Sequence, residues 1–269
     1  EEKSTPIEQI VQDVNRLVEQ GINEVILTGV HLGGYGSDIE QNLANLITAV
    51  LEQTTVPRLR LGSLEPWDLP DNFFALFANP RLMPHLHLPL QSGSDSVLKR
   101  MARRCKTEEF TQIITDARAQ VPHINITTDI IVGFPGETEQ EWQDSFDYIK
   151  SIGFGHIHIF TYSMRADTKA ATLPQQVPNA IKKQRSQQLH KLAEEMKQDF
   201  FSQNQGQSFE VLWEGHKEEL NAQSHKVFGY TPNYLRVAAI IDNSQSLENK
   251  MLEAKITEIT PEYLLAELV

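Results

Sequence analysis

The chain of 269 residues is long enough for one large domain or two unequal ones, since domains average roughly 100–150 residues. Its composition, 40% hydrophobic and 22% charged, is that of a globular protein and excludes a disordered chain. The net charge of -12 at pH 7 argues against a generally polyanion-binding surface, so any contact with nucleic acid must be local.

The sequence shows no sign of a membrane segment or a secretion signal. Its first residues are polar, and no apolar run approaches the roughly 20 residues that a spanning helix needs. We therefore expect a cytoplasmic protein without membrane contact. The one cysteine, Cys105, cannot form an internal disulfide or hold a thiolate-bound metal cluster alone, and we expect it to be a buried or half-buried thiol.

Helical and strand patterns alternate over the first 162 residues. Apolar residues recur at helical spacing between Ile7 and Val18, and Gly21 ends this first helix. Further helices are predicted at 39–51, 73–77, 94–101, 107–119 and 139–151. Short β-branched or alternating runs predict strands at 24–30, 58–65, 85–91, 124–132 and 156–162.

Five strands separated by helices are typical of parallel β/α units, so the predicted fold class is α/β. Because the chain opens on a helix, we expect one further strand before it. The predicted architecture is a partial (β/α)6 barrel without its first strand, which is smaller than the eight-stranded barrel. A doubly wound parallel sheet is the structural alternative.

The pattern changes after Tyr162. A linker containing prolines at 171–178 precedes a long polar helix predicted at 179–204. Short alternating strands follow at 209–213, 229–237, 252–259 and 263–269, which predict a small all-β barrel of about 60 residues. The predicted domains are therefore residues 1–170 and 206–269, joined by a linker and helix at 171–205.

Loops at the carboxyl ends of barrel strands build the active site of such folds. Here these loops carry His31, Ser63, Glu65, Gln91, Asp129, a turn at 133–137 and Tyr162. This polar set suits an adenosine-like ligand better than nucleophilic hydrolysis. His31 can also be an ordinary loop histidine, and the 133–136 turn a plain connection. Asp129 is harder to dismiss, because an unpaired carboxylate in an apolar strand is costly.

A local basic stretch stands out in the otherwise acidic chain. It consists of Lys99, Arg100, Arg103, Arg104 and Lys106, with further bases at Lys182, Lys183 and Arg185. A solvated helix face is one interpretation, and a phosphate-facing patch is the other. The predicted β domain, with five bases against ten acids, is not a simple electrostatic clamp for RNA.

Five segments in order resemble the radical S-adenosylmethionine methylthiotransferases. They are TGVHLGGYG at 28–36, SLEPW at 63–67, HLPLQSGS at 87–94, VLKRM at 97–101 and TDIIVGFPGET at 128–138. The segment GYTPNY at 229–234 resembles the C-terminal TRAM domain of that family. The amino-acid sequences of the second and third segments are most similar to those of the branch that acts on threonylcarbamoyladenosine in tRNA.

The resemblance implies an activity for the whole enzyme. It would replace the C2 hydrogen of threonylcarbamoyladenosine, beside the anticodon of the tRNA anticodon stem-loop, by a methylthio group. Family members use S-adenosylmethionine, an electron donor and two 4Fe-4S clusters, one of them held by a CxxxCxxC loop. The resemblance places that loop and the sulfur-carrying domain upstream of residue 1, so we expect this chain to hold neither cluster and to be inactive alone.

The resemblance also assigns residues by position. S-adenosylmethionine would contact Gly29, His31, Ser63, Gln91, Asp129, Gly133, Phe134, Pro135, Gly136 and Tyr162. The tRNA would contact Lys99, Arg100, Arg103, Arg104 and Lys106, and no catalytic residue or metal ligand is expected in this chain. Two alternatives remain: a ribosomal-protein (aspartate) methylthiotransferase, which the acidic β domain would suit, and a non-catalytic RNA-binding module.

Overall fold

Five parallel strands form the framework of the N-terminal part, in a computed structural model that describes residues 3–269. Strand β1 (Glu24–Leu27) pairs with β2 (Arg58–Leu61), and β3 (His85–His87), β4 (Asn125–Val132) and β5 (His156–Thr161) form a second sheet. Single parallel bridges, such as that from Ser63 to His87, join the two sheets. The strands thus follow chain order without the reversal that a doubly wound sheet requires.

Helices connect these strands, and their positions confirm an α/β fold. They are α1 (Ile7–Glu19), α2 (Leu43–Gln53), α3 (Asp95–Arg100), α4 (Thr107–Gln120) and α5 (Glu139–Ile152). Their apolar faces cover one side of the strands, where Leu59, Leu86 and Ile126 are fully buried or nearly so. That burial is the main source of stability for this layer.

The predicted boundaries of one helix and one strand were wrong, and one predicted helix is of a different type. Helix α2 begins at Leu43 and not at residue 39, because the Asn42 side chain accepts a hydrogen bond from the Asn45 amide and caps the helix. Strand β1 ends at Leu27, and Val30, which the sequence placed in that strand, is fully exposed. The helix predicted at 73–77 is a 3-10 helix, Phe73–Ala78.

A long helix connects the two parts of the molecule. After the short helix α6 (Lys169–Thr172), α7 (Asn179–Asn204) packs along β5 and buries Leu189, Leu192 and Met196, which confirms the helix predicted at 179–204. Among the helices of residues 3–269, none has the length and apolar character that crossing a bilayer requires.

The C-terminal part is a small β-barrel, as predicted, but five strands close it, whereas the sequence predicted four. Its strands are β6 (Ser208–Glu219), β7 (Ser224–Tyr230), β8 (Arg236–Asp242), β9 (Met251–Ile259) and β10 (Leu264–Leu268). They close in the order β10-β8-β7-β6-β9, and only the β10–β8 pair of this barrel is parallel. Trp213, Val237, Ala254 and Ile256 fill its core.

The prediction of one continuous strand at 229–237 was wrong, because a tight turn at 231–235 separates β7 from β8. The Thr231 hydroxyl accepts a hydrogen bond from the Leu235 amide, and Tyr234 has a φ of 65°. The turn sits against the amino ends of the parallel strands, where Arg60 donates to the Pro232 carbonyl and Asn125 to the Asn233 carbonyl. Side chains on the parallel strands therefore fix the position of the barrel.

Candidate functional site

The inner face of the parallel strands, opposite the helices, is polar. Alternate residues of a strand point to the same face, and here those of β3, β4 and β5 are mostly histidine, asparagine, threonine and aspartate. A cavity of about 570 Å³ separates this face from the C-terminal barrel. The polar and aromatic residues of its wall include His85, His87, Thr127, His156, His158 and Tyr234.

The carboxyl edge of the same strands carries the residues predicted to bind a ligand. Gly29 and His31 follow β1, Ser63 follows β2, Gln91 follows β3, residues 133–136 follow β4, and Tyr162 follows β5. Asp129 lies within β4, and its carbonyl accepts a hydrogen bond from the Gln91 amide at 2.8 Å. The structure thus brings Ser63, Gln91 and Asp129 together through the pairing of β2, β3 and β4.

A second polar group surrounds His31. Its Nε2 lies 2.8 Å from Asp68 Oδ2, and Glu65 is close enough to share one ion with these two residues. Arg103 lies beside the ring of Trp67, at 5.8 Å from the centroid. Burial lowers the pKa of Arg103, while Glu65 and Asp129 counteract that shift. Arg103 is therefore close enough to interact with the carboxylates of both Glu65 and Asp129.

Two rim atoms are buried without a hydrogen-bond partner among residues 3–269: Glu65 Oε2 and the Tyr162 hydroxyl. An unsatisfied buried polar atom costs roughly 1–3 kcal/mol. Gln91 also has a φ of 74°, in the left-handed region that side chains rarely adopt. Unsatisfied atoms and a strained backbone at one edge are typical of a binding site, because a polar ligand can supply the missing bonds.

The turn at 133–136 is packed by α7. Gly133 has a φ of 74°, and a Cβ there would lie 2.5 Å from Lys182 Cγ, so glycine is required. Phe134 is buried, and its ring contacts the ring of Tyr162 edge to face at 5.5 Å. Lys182 donates to the Tyr162 carbonyl, and Arg185 pairs with Glu137 at 2.7 Å. These two cations are therefore occupied inside the protein and are not part of a phosphate-facing patch.

The basic stretch is divided by its contacts. Lys99, Arg104 and Lys106 are exposed. Arg100, by contrast, makes two hydrogen bonds to the Glu141 carboxylate, at 2.8 and 2.7 Å, and a third to the Gly136 carbonyl. Arg100 is therefore occupied by Glu141, and Arg103 lies at the rim. The three exposed residues are the ones in this stretch that are available to a polyanion.

Replacing Glu141 by glutamine is expected to lower stability at neutral pH by about 1 kcal/mol, as for a partly buried ion pair. Hydrogen bonds from Arg100, with smaller contributions from Ser96 and Thr138, lower the pKa of Glu141 to about 2. The carboxylate therefore stabilises the fold above pH 4.5, and this contribution is lost as the pH falls toward 2. Urea titrations of both proteins should show a difference that shrinks over that interval, and a constant difference would contradict this assignment.

The comparisons with known proteins identify the family. A family described as the Radical SAM superfamily matches residues 1–149, more than half of the chain. The chain belongs to the radical SAM superfamily. Coproporphyrinogen III oxidase (HemN) from Escherichia coli, a radical SAM enzyme, has a similar structure, with a TM-score of 0.50 and 10% identity over 97% of this chain and 64% of that one. At that identity the likeness concerns the fold alone.

Curated relatives of this radical SAM chain are methylthiotransferases. The threonylcarbamoyladenosine tRNA methylthiotransferase MtaB of Bacillus subtilis is 34% identical over 94% of this chain and 56% of the relative. MtaB of Thermotoga maritima is 39% identical over 72% and 45%. The tRNA-2-methylthio-N(6)-dimethylallyladenosine synthase of Streptomyces coelicolor is 35% identical over 96% and 52%. The chain thus spans about half the length of these relatives.

Of the two cofactors that the radical SAM family implies, the residues of this chain fit S-adenosylmethionine but not a 4Fe-4S cluster. A 4Fe-4S cluster does not fit, because such a cluster needs several thiolates and Cys105 is the one cysteine. As expected, that thiol is buried, and burial raises its pKa to about 11. S-adenosylmethionine does fit the carboxyl rim, where Glu65 and Tyr162 have unsatisfied polar atoms.

Sequence reasoning missed the histidines of the inner face. His85 and His87 on β3, and His156 and His158 on β5, are two H-x-H pairs. A spacing of two places both members of a pair on one face of a strand, which was the available signal. Asp68, the partner of His31, was also missed, since it lies in a 3-10 helix (Pro66–Asp68) beyond the motif at 63–67.

Proposed function

We propose that this chain is the larger part of a tRNA methylthiotransferase that adds a methylthio group to C2 of threonylcarbamoyladenosine beside the anticodon. The observation that carries this proposal is the 34% identity to MtaB of Bacillus subtilis over 94% of the chain, through both the α/β part and the β-barrel. The polar rim at the carboxyl ends of the strands supports it, because barrel enzymes bind their ligands there.

The proposed arrangement divides the chain at 170 and 206. Residues 1–170 supply five strands of a (β/α)6 radical SAM barrel, and residues 206–269 supply a TRAM domain. The cluster ligands and the first strand would come from the rest of the protein, as would the docking site for an electron donor. On this basis the 269-residue chain binds ligands but does not catalyse methylthio transfer, and it acts in the cytoplasm, where tRNA is modified.

S-adenosylmethionine would lie along the rim defined above. Gly29 and His31 would face its amino-acid end, Ser63 and Gln91 would offer polar contacts, and Asp129 would lie beneath it. Its adenine would be placed by the turn of Gly133, Phe134, Pro135 and Gly136 together with Tyr162. When bound beside a reduced cluster, it supplies the carbon radical that removes hydrogen from an unactivated carbon. The residues of this chain bind and orient it.

The exposed bases Lys99, Arg104 and Lys106 are proposed to contact the phosphates of the anticodon stem-loop. Reversing all three to glutamate should weaken binding of a stem-loop RNA by at least about tenfold and make its salt dependence shallower, since each lost phosphate contact lowers the slope by about 0.7–0.9. Fluorescence anisotropy at several salt concentrations measures both quantities. The control reverses three exposed bases on other helices, Arg16, Lys150 and Lys191, and equal weakening in both variants would contradict the assignment.

The substrate of the full-length protein is tested by deleting its gene. Mass spectrometry of tRNA nucleosides from cells without the gene should show loss of methylthio-threonylcarbamoyladenosine. Loss of methylthio-dimethylallyladenosine instead would assign the chain to the function of its Streptomyces relative. Unmodified ribosomal protein would support the alternative that the acidic β-barrel favours, with five bases against ten acids. No change in any of these products would support a non-catalytic RNA-binding role.

A further inference from the structure

The side chains of His87, Asp129 and His158 converge on the inner face, and the two histidines line the cavity. His87 Nε2 lies 3.2 Å from Asp129 Oδ1. Ligand atoms of His87, Asp129 and His158 all lie within 4.8 Å of one another. Two donors bound tetrahedrally, each about 2.1 Å from one ion, lie about 3.4 Å apart. The His87–Asp129 pair already has that spacing, and the His158 ring, which is exposed to the cavity, needs only a small movement to join it.

The backbone and a neighbouring hydroxyl hold these ligands in place. Asp129 and His158 are direct partners in the pairing of β4 with β5, and His87 is paired with Thr127 on the other side of β4. The Thr127 hydroxyl lies 2.9 Å from His87 Nδ1. In the tautomer whose Nδ1–H donates to this hydroxyl, the lone pair of the neutral imidazole lies on Nε2, which is how metal-binding histidines are oriented.

We propose that His87, Asp129 and His158 form a binding site for one divalent transition-metal ion. Two imidazoles and one carboxylate are a ligand set for Zn²⁺, Fe²⁺ or Co²⁺, and the cavity beside them leaves coordination positions open. The site lies on three rigid strands, so the ion would be bound by preformed geometry. It shares Asp129 with the proposed S-adenosylmethionine rim but requires no cluster.

Imidazoles and charged side chains surround the three ligands. His85 and His156 line the same cavity as His87 and His158. Arg103 lies close enough to Asp129 to interact with its charge on the rim side, and Arg60 lines the cavity near His85 on the barrel side. Glu65 opposes the charge of Arg103.

The test is cobalt binding to the untagged 269-residue chain after treatment with a chelator. Co²⁺ should give visible absorption bands of low symmetry, and Zn²⁺ should displace it. In a His31→Ala variant, which removes one member of the His31, Glu65 and Asp68 group, Co²⁺ should still bind at one ion per chain. The Asp129→Asn variant, which keeps the shape of the side chain, and His87→Ala should each weaken binding at least tenfold. Thr127→Val should weaken it roughly 10–100-fold, as for removal of a group that orients a ligand.

The matched control is His190→Ala, which removes an exposed histidine of α7 and should leave cobalt binding unchanged. Circular dichroism will show whether each variant is folded. If His87→Ala does not fold, Asp129→Asn still provides a decisive test. Binding with the affinity and spectrum of the wild type in Asp129→Asn would overturn the proposal. So would the absence of a stoichiometric Co²⁺ site in the wild-type chain.

Discussion

Replacing Glu24 by alanine is expected to lower the free energy of unfolding by about 3–5 kcal/mol, the usual effect of breaking a buried ion pair. Glu24 Oε2 lies 2.8 Å from Arg60 and 3.8 Å from Arg58, whose side chains are only 2% and 1% exposed. Without the carboxylate, two buried guanidinium groups would lose the anion that pairs with both of them. Burial already lowers the pKa of Arg58, which shows how unfavourable the charged form is there.

The matched control is Glu52→Ala, which removes an exposed carboxylate of α2. Urea titrations followed by circular dichroism should place this control within about 0.5 kcal/mol of the wild type. A loss in Glu24→Ala that is no larger than the loss in the control would show that water compensates the arginines. Unfolding that loses the two parts in separate transitions would show, instead, that Glu24 couples them.

Such coupling is expected because the same arginines reach the C-terminal barrel. Arg58 donates to the carbonyls of Tyr230 and Glu210, and Arg60 donates to that of Pro232. Glu210 lies near the start of β6, Tyr230 ends β7, and Pro232 lies in the turn at 231–235. The ion group of β1 and β2 therefore both neutralises charge within the sheet and holds the barrel against the amino ends of the strands.

The sequence was sufficient for the order of elements because their patterns are local. The alternation of arginine and leucine at 58–61 predicted a strand, and the spacing of leucines predicted α7. It was insufficient where distant contacts decide the outcome. The turn at 231–235 contains Pro232 and Asn233, both turn formers, but the apolar residues on either side suggested one continuous strand. Its structure depends on contacts with Arg60 and Asn125, more than 100 residues away in sequence.

For the candidate sites too, local patterns were predictable from the sequence and contacts between distant residues were not. Glycine and polar motifs located the carboxyl rim, because each of them ends a strand. The metal-binding group proposed here needs the register of β3, β4 and β5, in which Asp129 faces His158 and Thr127 faces His87. A shift of one residue in either pairing would turn these side chains away from one another. The sequence alone does not determine that register.

Replacing His85 by phenylalanine is expected to make stability less sensitive to acid. Burial lowers the pKa of His85 to about 3, and the nearby charge of Arg60 contributes. An unfolded chain takes up a proton at this position near pH 6.5. Between pH 6.5 and 3 the unfolded state therefore binds the proton that the folded state excludes, and the wild type loses about 1.4 kcal/mol of stability per pH unit from this residue.

Phenylalanine removes this loss and keeps the packing, since the His85 ring stacks on Tyr234 at 4.7 Å. It also removes a buried Nδ1 without a hydrogen-bond partner in the described structure, which offsets the lost contact with Thr127. Urea titrations from pH 7.5 to 4.5 should show similar stability at the upper limit and an advantage for His85→Phe that grows toward the lower one. His190→Phe, at an exposed position, should follow the wild type. Parallel curves for wild type and His85→Phe would mean that the cavity admits enough water to protonate His85 in place, and the inner face would then be a hydrated surface.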